Sequence, residues 1–229
     1  MNGTIYVINP NRSEAVTADI DAAVAPLRIV GARPIACLSL ADGPPGIESQ
    51  RDVDSVIGPL LRRAAMLEES AAAFVIACFS DPGIFSLREQ SMRPVLGIAE
   101  CGVLTALTLG QRFGVIAILQ ESIPRHLRYF GAMGVLDRLA ADLPIDLGVA
   151  ELANKECTLA RMTKVGRTLR DTHRADVLVM GCAGMTLFRD PLERALGVPV
   201  VEPTQAAVTM AIGRAQLGWA VRPLQRARR

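Results

Sequence analysis

The feature that most constrains the fold is a regular alternation of short apolar runs with longer amphipathic segments. Most of the runs are continuously apolar, as strands buried on both faces of a parallel sheet are. The pattern predicts an α/β fold with mainly parallel sheets. The predicted strands are residues 5–8, 33–38, 73–77, 95–98, 114–119, 146–149, 177–180 and 198–201. The predicted helices are residues 13–26, 52–69, 101–109, 123–133, 156–172, 190–196 and 205–219.

An internal repeat relates the two halves of the chain. Residues 73–78 (AFVIAC) resemble residues 177–182 (VLVMGC), and the two cysteines, Cys78 and Cys182, lie 104 residues apart. Residues 94–100 resemble residues 197–202 at nearly the same offset, and each segment ends in a glutamate. The repeat predicts two pseudo-symmetric, Rossmann-like lobes with the active site in the cleft between them. We expect the first lobe to comprise residues 1–98 and 205–229 and the second to comprise residues 99–204.

The placement of the two cysteines has a chemical consequence. Ligands of open parallel sheets bind outside the carboxyl ends of the strands, and Cys78 and Cys182 each follow a predicted strand directly. If the lobes are related by a twofold axis, the two sulfurs approach one cavity from opposite sides. Because a helix N-terminus lowers the pKa of a thiol, we expect a pKa near neutrality for each. The backbone N–H groups after each cysteine are candidates for holding an enolate oxygen.

A second interpretation of these cysteines is structural. Cysteine in an apolar neighbourhood usually behaves as a small buried hydrophobe, which is how we interpret Cys37, Cys101 and Cys157. For Cys78 and Cys182 the matched positions make the catalytic interpretation as strong as the structural one, and the residues alone leave both open.

Composition excludes several classes of protein. The formal net charge is +2, and aromatic residues make up 4% of the chain, which favours neither nucleic-acid nor membrane partners. The longest apolar run, residues 71–79, is much shorter than the roughly 20 residues of a membrane-spanning helix. Five cysteines without a CxxC pair indicate neither a disulfide framework nor a metal site. We therefore expect a cytoplasmic protein without a structural metal site.

Four motifs carry a resemblance to a known family. They are INPN at residues 8–11, GPPGIES at 43–49, ACFSDPG at 77–83 and GCAGM at 181–185. In order and spacing they resemble the aspartate/glutamate/hydantoin racemase superfamily over nearly the whole chain, and within it the hydantoin and allantoin racemases.

The resemblance implies a cofactor-independent racemase that transfers a proton at a carbon next to a carbonyl group. It implies Cys78 and Cys182 as the two catalytic bases. It also implies substrate contacts from two loops, from the segments after the cysteines and from the loop after the fifth strand; these residues are Asn11, Ile47, Phe79, Ser80, Gln120, Ala183 and Gly184. A homo-oligomer is a further implication of the resemblance.

The motifs depart from those of the amino-acid racemases in the superfamily. Those enzymes typically carry Cys-Asn-Thr and Cys-Thr, whose side chains hold a carboxylate, whereas this chain has Phe79 and Ser80 after Cys78, and Ala183 after Cys182. The difference disfavours free aspartate or glutamate and favours a neutral ring or ureide. Arylmalonate decarboxylases have a glycine at the first cysteine position, so Cys78 disfavours that branch.

The favoured function is racemisation of 5-monosubstituted hydantoins through an enolate. The alternatives are allantoin racemisation, another racemase or decarboxylase reaction of the superfamily, and a small-molecule-binding or redox-sensing protein without turnover.

Several other polar residues have simpler structural interpretations. Glu100 and Glu202 each open a predicted helix, where a carboxylate meets the positive end of the helix dipole. Asp81 is expected to stabilise the turn and helix start at Pro82-Gly83, or else to orient Cys78. His126 and His173 lie on amphipathic helices without symmetric partners, and we expect them at the surface or at an interface.

Overall fold

Two parallel sheets of four strands each organise the chain. The computed structural model describes residues 3–219. The first sheet has the order β2-β1-β3-β4 and the second has the order β6-β5-β7-β8, with all pairs parallel. The strands are β1 (Thr4–Asn9), β2 (Ile35–Ser39), β3 (Ala71–Ile76), β4 (Val95–Gly97), β5 (Phe113–Ala117), β6 (Leu139–Pro144), β7 (Val177–Met180) and β8 (Val200–Val201). The predicted α/β class with two repeated parallel sheets is confirmed.

Nine α-helices surround the sheets in the described part of the chain. They are α1 (Glu14–Val24), α2 (Gln50–Ser55), α3 (Ile57–Leu67), α4 (Ile84–Gln90), α5 (Ile98–Leu109), α6 (Ile123–Met133), α7 (Lys155–Asp171), α8 (Arg189–Leu196) and α9 (Pro203–Leu217). The prediction for α6 has the bounds observed. The single helix predicted over residues 52–69 is wrong, because the chain forms two helices that meet at Val56. Helix α4 was not predicted. None of the helices within residues 3–219 is long and apolar enough to cross a membrane.

The central strands have the burial that their sequences indicate. Every residue of β3, β5 and β7 is buried, because helices cover both faces of each sheet. Burying one Val, Leu or Ile side chain contributes about 1.5–3 kcal/mol, so these runs supply much of the driving force for folding. Their continuous apolar character is therefore a direct consequence of the layered architecture.

Two helices cross between the sheets. Helix α5 leaves β4 of the first sheet and packs on β7 of the second, whereas α9 leaves β8 of the second and packs on β3 of the first. The two helices also pack on each other, and a Cβ atom on Gly102 of α5 would lie 2.9 Å from Cβ of Pro203. One apolar cluster accordingly includes Val75 of the first sheet and Val179 of the second. Because each of these helices packs on the other sheet, the two sheets are held at a fixed distance and orientation.

The proposed lobe division places α5 with the second lobe and α9 with the first, and it stays a prediction. The last ten residues of that division, with the basic segment 222–229, lie outside the described residues.

One predicted strand is wrong. Residues 146–149 do not form a strand; β6 lies at Leu139–Pro144 instead. Asp146 has a φ of 54°, in the left-handed region that extended strands exclude, and Val149 begins a short 3₁₀ helix. The true strand is at the edge of its sheet, is only half-buried and contains Asp142, so it lacks a continuous apolar run.

Candidate active site

Cys78 and Cys182 occupy equivalent positions at the ends of the two sheets. Each cysteine is the second residue after a central strand, β3 or β7. The residue between strand and cysteine is held in the same way in both lobes: Ala77 N–H donates to the Ile8 carbonyl, and Gly181 N–H donates to the Ile116 carbonyl, each over 2.8 Å. Both cysteines line one narrow cavity of about 30 Å³. The twofold relation inferred from the sequence therefore brings the two side chains to a common space.

Six of the seven residues predicted to contact substrate line this cavity with the cysteines. They are Asn11, Ile47, Phe79, Ser80, Ala183 and Gly184. Gln120 is the exception: it is exposed on a 3₁₀ turn and does not line the cavity, while Ile118 and Ser122 from the same loop do. The loop after β5 reaches the site, but through residues on either side of the one predicted.

Asn11 combines a structural role with a place in the cavity. Its Oδ1 accepts hydrogen bonds from Ser13 N–H at 2.8 Å and from Asn9 Nδ2 at 2.9 Å, which shapes the turn after β1. Its Nδ2 donates no hydrogen bond to any residue within the described chain, so this amide group remains available to a carbonyl oxygen in the cavity.

Burial controls the ionisation of both thiols. Burial, with a smaller contribution from Cys182, raises the pKa of Cys78 to about 12, although the Ser80 N–H and the Arg125 guanidinium act to lower it. Burial likewise raises the pKa of Cys182 to about 11, against a lowering by the Gly184 N–H. The expectation of pKa values near neutrality is wrong, because loss of hydration outweighs the backbone donors.

Two of the backbone N–H groups after the cysteines, one in each loop, are directed at the sulfurs and not at a substrate oxygen. Gly184 N–H donates to Sγ of Cys182 over 3.3 Å, and Ser80 N–H interacts with Cys78 in the equivalent place. These two groups stabilise thiolates, and they are not free donors for an enolate oxygen.

Sequence reasoning missed two residues of the site, Arg125 and His126. Both lie in the first turn of α6 and line the cavity. Arg125 is 9% exposed and is held by the Glu121 carbonyl and by Ser122 Oγ, so a fixed cation lies beside Cys78. The signal available in the sequence was their position, at the start of a helix that follows a central strand.

His126 is buried, so its predicted surface location is wrong. Its Nδ1 lies 2.7 Å from Oδ2 of Asp142, and its ring meets the Phe79 ring edge to face with 5.1 Å between centroids. His173, by contrast, is only half-buried.

Glu100, Glu202 and Asp81 were each predicted to stabilise a helix start, and the prediction is confirmed for the two glutamates and corrected for Asp81. Glu202 accepts from Thr204 N–H and Gln205 N–H at the start of α9, and Glu100 accepts from Gly97 N–H at the start of α5, as expected. Asp81 caps a different helix from the one predicted. It is buried and accepts from Ala99 N–H and Glu100 N–H of α5 and from the Tyr129 hydroxyl.

Comparison with known proteins agrees with this architecture. The sequence profile described as Asp/Glu/Hydantoin racemase matches residues 5–211. The chain belongs to the Asp/Glu/hydantoin racemase family. It is 34% identical to a protein named hydantoin racemase from Pseudomonas sp. (strain NS671) over 93% of this chain and 86% of that protein. A hydantoin racemase from Rhizobium meliloti is 33% identical over 94% of this chain and 90% of its own length.

Solved structures give the same result. The structure described as allantoin racemase from Klebsiella pneumoniae superimposes with a TM-score of 0.90 at 31% identity and covers 96% of this chain and 91% of its own. The relatives named hydantoin racemase and the allantoin racemase are isomerases, and the expectation of a racemase-type enzyme is confirmed. Among residues 3–219, no group of three or more His, Cys, Asp or Glu side chains is arranged to hold a metal ion.

Proposed function

We propose that this protein racemises 5-monosubstituted hydantoins without a cofactor, using Cys78 and Cys182 as the two bases. The observation that carries the proposal is the equivalent placement of the two cysteines around one cavity. A planar intermediate bound between them can take up a proton on either face, which is what stereoinversion requires.

The chemistry balances within the pair of sulfurs. The thiolate of one cysteine removes the proton from C5, and the electron pair of the broken C–H bond moves onto the adjacent carbonyl to give an enolate. The thiol of the other cysteine then protonates C5 on the opposite face, and its S–H bond breaks to leave a thiolate. The enzyme finishes with the two protonation states exchanged, ready for the other enantiomer.

The electrostatics of the site support this division of roles. Each raised pKa favours the thiol, and the mutual repulsion of the sulfurs disfavours a second thiolate once one has formed. A state with one thiolate and one thiol is the state that a two-base racemase needs. Burial also makes the single thiolate a stronger base than an exposed one, because its lone pairs are not hydrated.

Three of the residues that line the cavity favour a neutral ring over a free amino acid. Phe79 and Ile47 contribute apolar surface, and Ala183 lacks a polar side chain with which to hold a carboxylate. Relatives named hydantoin racemase span nearly the whole chain. The second candidate substrate is allantoin, which is favoured by the structural similarity to an allantoin racemase.

The proposed function is tested with one pure enantiomer of 5-benzylhydantoin in deuterated buffer. We expect loss of optical rotation together with uptake of one deuterium at C5, both faster than in an enzyme-free blank. Parallel reactions with (S)-allantoin and L-glutamate distinguish the substrate classes, and glutamate should not react. Binding without exchange would instead support a non-catalytic binding protein, and neither signal above the blank would refute the proposal.

The homo-oligomeric state and cytoplasmic location stay predictions from the sequence. Light scattering on the purified chain tests the first.

A further inference from the structure

A second, wider pocket adjoins the cavity between the cysteines. The two share three lining residues, Phe79, Ser80 and Arg125. The second pocket has a volume of about 240 Å³, against about 30 Å³ for the cavity. Helix α2, the loop after Cys78 and one face of α6 form it; its other lining residues are Gln50, Val53, Arg128, Tyr129 and Ala132. A substrate whose C5 lies between the two sulfurs can therefore extend its 5-substituent into this pocket.

The α6 face of this pocket carries two guanidinium groups. Residues 125, 128, 129 and 132 have the spacing of three and four residues that places side chains on one side of a helix. Arginine side chains stay protonated in proteins, so Arg125 and Arg128 give the pocket two fixed positive charges. None of the described residues that line it carries a carboxylate. The lining of the pocket is therefore electropositive, directly beside the place where the substrate reacts.

Arg125 is a buried cation without an ion-pair partner in the described chain. It is 9% exposed, it donates to the Glu121 carbonyl and to Ser122 Oγ, and its Nε has no hydrogen-bond partner among residues 3–219. The carboxylates of Asp52 and Glu121 act on it through space, but neither forms an ion pair within 4.0 Å. Asp52 is instead bound by the backbone and hydroxyl groups of Ser49. Because a buried charge without a counter-ion is costly, an anion in this pocket is favoured.

The thiolate of Cys78 does not supply that anion for both guanidinium groups. Its raised pKa leaves Cys78 mostly protonated at neutral pH. Arg128 donates to Oε1 of Gln50 over 2.7 Å, which joins α6 to α2 across the pocket but leaves the positive charge uncompensated. Arg128 lines this pocket and not the cavity between the cysteines. Its charge therefore acts on the substituent of a substrate rather than on the reacting carbonyl group.

Resting on the proposed function, we propose that this pocket binds the 5-substituent of the hydantoin and selects substituents that end in a carboxylate, held by Arg125 and Arg128. A guanidinium group binds a carboxylate through parallel charge-assisted hydrogen bonds, which gives both affinity and orientation. An apolar substituent can enter against Val53 and Phe79 but leaves the guanidinium groups without an acceptor. The preferred substrates are thus the hydantoins of acidic amino acids.

Two hydantoins matched in length test the proposal, the 5-(2-carboxyethyl) and 5-(2-carbamoylethyl) compounds, whose substituents differ in charge at neutral pH. We expect kcat/KM for the acid to exceed that for the amide about tenfold, the effect of one charge-assisted hydrogen bond. Arg128→Gln should abolish this preference by raising KM for the acid, whereas Arg128→Lys, which keeps the charge, should retain part of it. Equal kcat/KM values in the unmodified protein, or a preference that Arg128→Gln does not lower, would overturn the proposal.

Arg167→Gln is the matched control. Arg167 is exposed on α7 and lines neither the cavity nor the pocket, so this variant should keep the preference of the unmodified protein for the acid. Arg125 is left unchanged in this comparison because its cation also acts on Cys78. Circular dichroism and the urea midpoint establish that each variant is folded.

A binding measurement separates this proposal from the proposed function. The 5-methyl derivatives of the two hydantoins have no C5 proton and cannot be racemised, and calorimetry gives the Kd of each. We expect the acid to bind about tenfold more tightly than the amide and Arg128→Gln to remove the difference. If the unmodified protein racemises no hydantoin, the proposed function fails, and this difference in binding would still support the pocket. Equal binding of the two derivatives, or binding of neither, would overturn the proposal.

Discussion

Replacing Asp81 by asparagine should remove a loss of stability that the unmodified protein undergoes as the pH rises. One carboxylate oxygen accepts from Ala99 N–H at 3.0 Å, and the other accepts from Glu100 N–H and the Tyr129 hydroxyl, each at 2.9 Å. Burial nevertheless raises the pKa of this carboxyl group from its ordinary value of 3.8 to about 7, so the ionised form is disfavoured in the fold and stability falls as the pH rises between these two values. At about 1.4 kcal/mol per pH unit, the fall between pH 5 and pH 8 is roughly 2–3 kcal/mol, and asparagine, which does not ionise, should abolish it.

The assay is urea unfolding followed by circular dichroism at a fixed protein concentration. Unfolding is measured at pH 5 and at pH 8, on either side of the value of about 7 to which burial raises the pKa of Asp81. Asp137→Asn is the control: Asp137 is exposed in a short 3₁₀ turn, and its substitution should change stability by less than about 0.5 kcal/mol at either pH. If Asp81→Asn lost as much stability between the two pH values as this control does, the buried carboxyl group would not ionise at a cost, and the reasoning would be refuted.

Three further predictions concern ionisation and packing. Because burial raises the pKa of both Cys78 and Cys182 and one thiolate is required, kcat/KM should rise about tenfold per pH unit through the neutral range; a flat profile contradicts this. Arg125→Gln removes a cation that lowers the pKa of Cys78, so the pH profile of kcat/KM should move to higher pH. A profile that does not move would show that the guanidinium does not act on the thiol. Gly97→Ala places a Cβ 2.1 Å from the carboxyl carbon of Asp81 and should destabilise the fold by at least about 1–3 kcal/mol. Gly213→Ala lies on an open helix face and should stabilise the fold by about 0.5–1 kcal/mol. Equal urea midpoints for the two variants would contradict this.

The sequence predicted those parts of the fold in which one physical effect dominates. Strands β3 and β7 are buried on both faces, so their apolar runs are continuous and their repeat is visible. Strand β6 escaped prediction because an edge strand needs less apolar surface and because Asp142 interrupts its pattern. Helix α4 was missed because it is short and begins after Gly83, which adopts a left-handed conformation between strand and helix.

The residues of the candidate site that the internal repeat duplicates could be predicted from the sequence, and those without a counterpart in the other lobe could not. Cys78 and Cys182 stand out because each repeats the position of the other. His126 has no counterpart in the first lobe, and its partner Asp142 lies on the strand that the sequence did not reveal. An amphipathic helix with a histidine in its first turn is typical of a surface element, and only the tertiary packing of α6 over Phe79 turns that residue toward the cavity. The raised pKa values of the thiols likewise depend on burial that no motif encodes.

The central claim is that two cysteines act on opposite faces of one carbon, and isotope exchange in single-cysteine variants tests it most directly. Each enantiomer of 5-benzylhydantoin is incubated in deuterated buffer with Cys78→Ala, with Cys182→Ala and with Cys101→Ala, a buried cysteine outside the cavity, as the control. We expect the control to racemise both enantiomers. Each of the other two variants should racemise neither and should exchange the C5 proton of one enantiomer only, with opposite preferences. Normal racemisation by both Cys78→Ala and Cys182→Ala would contradict the two-base account.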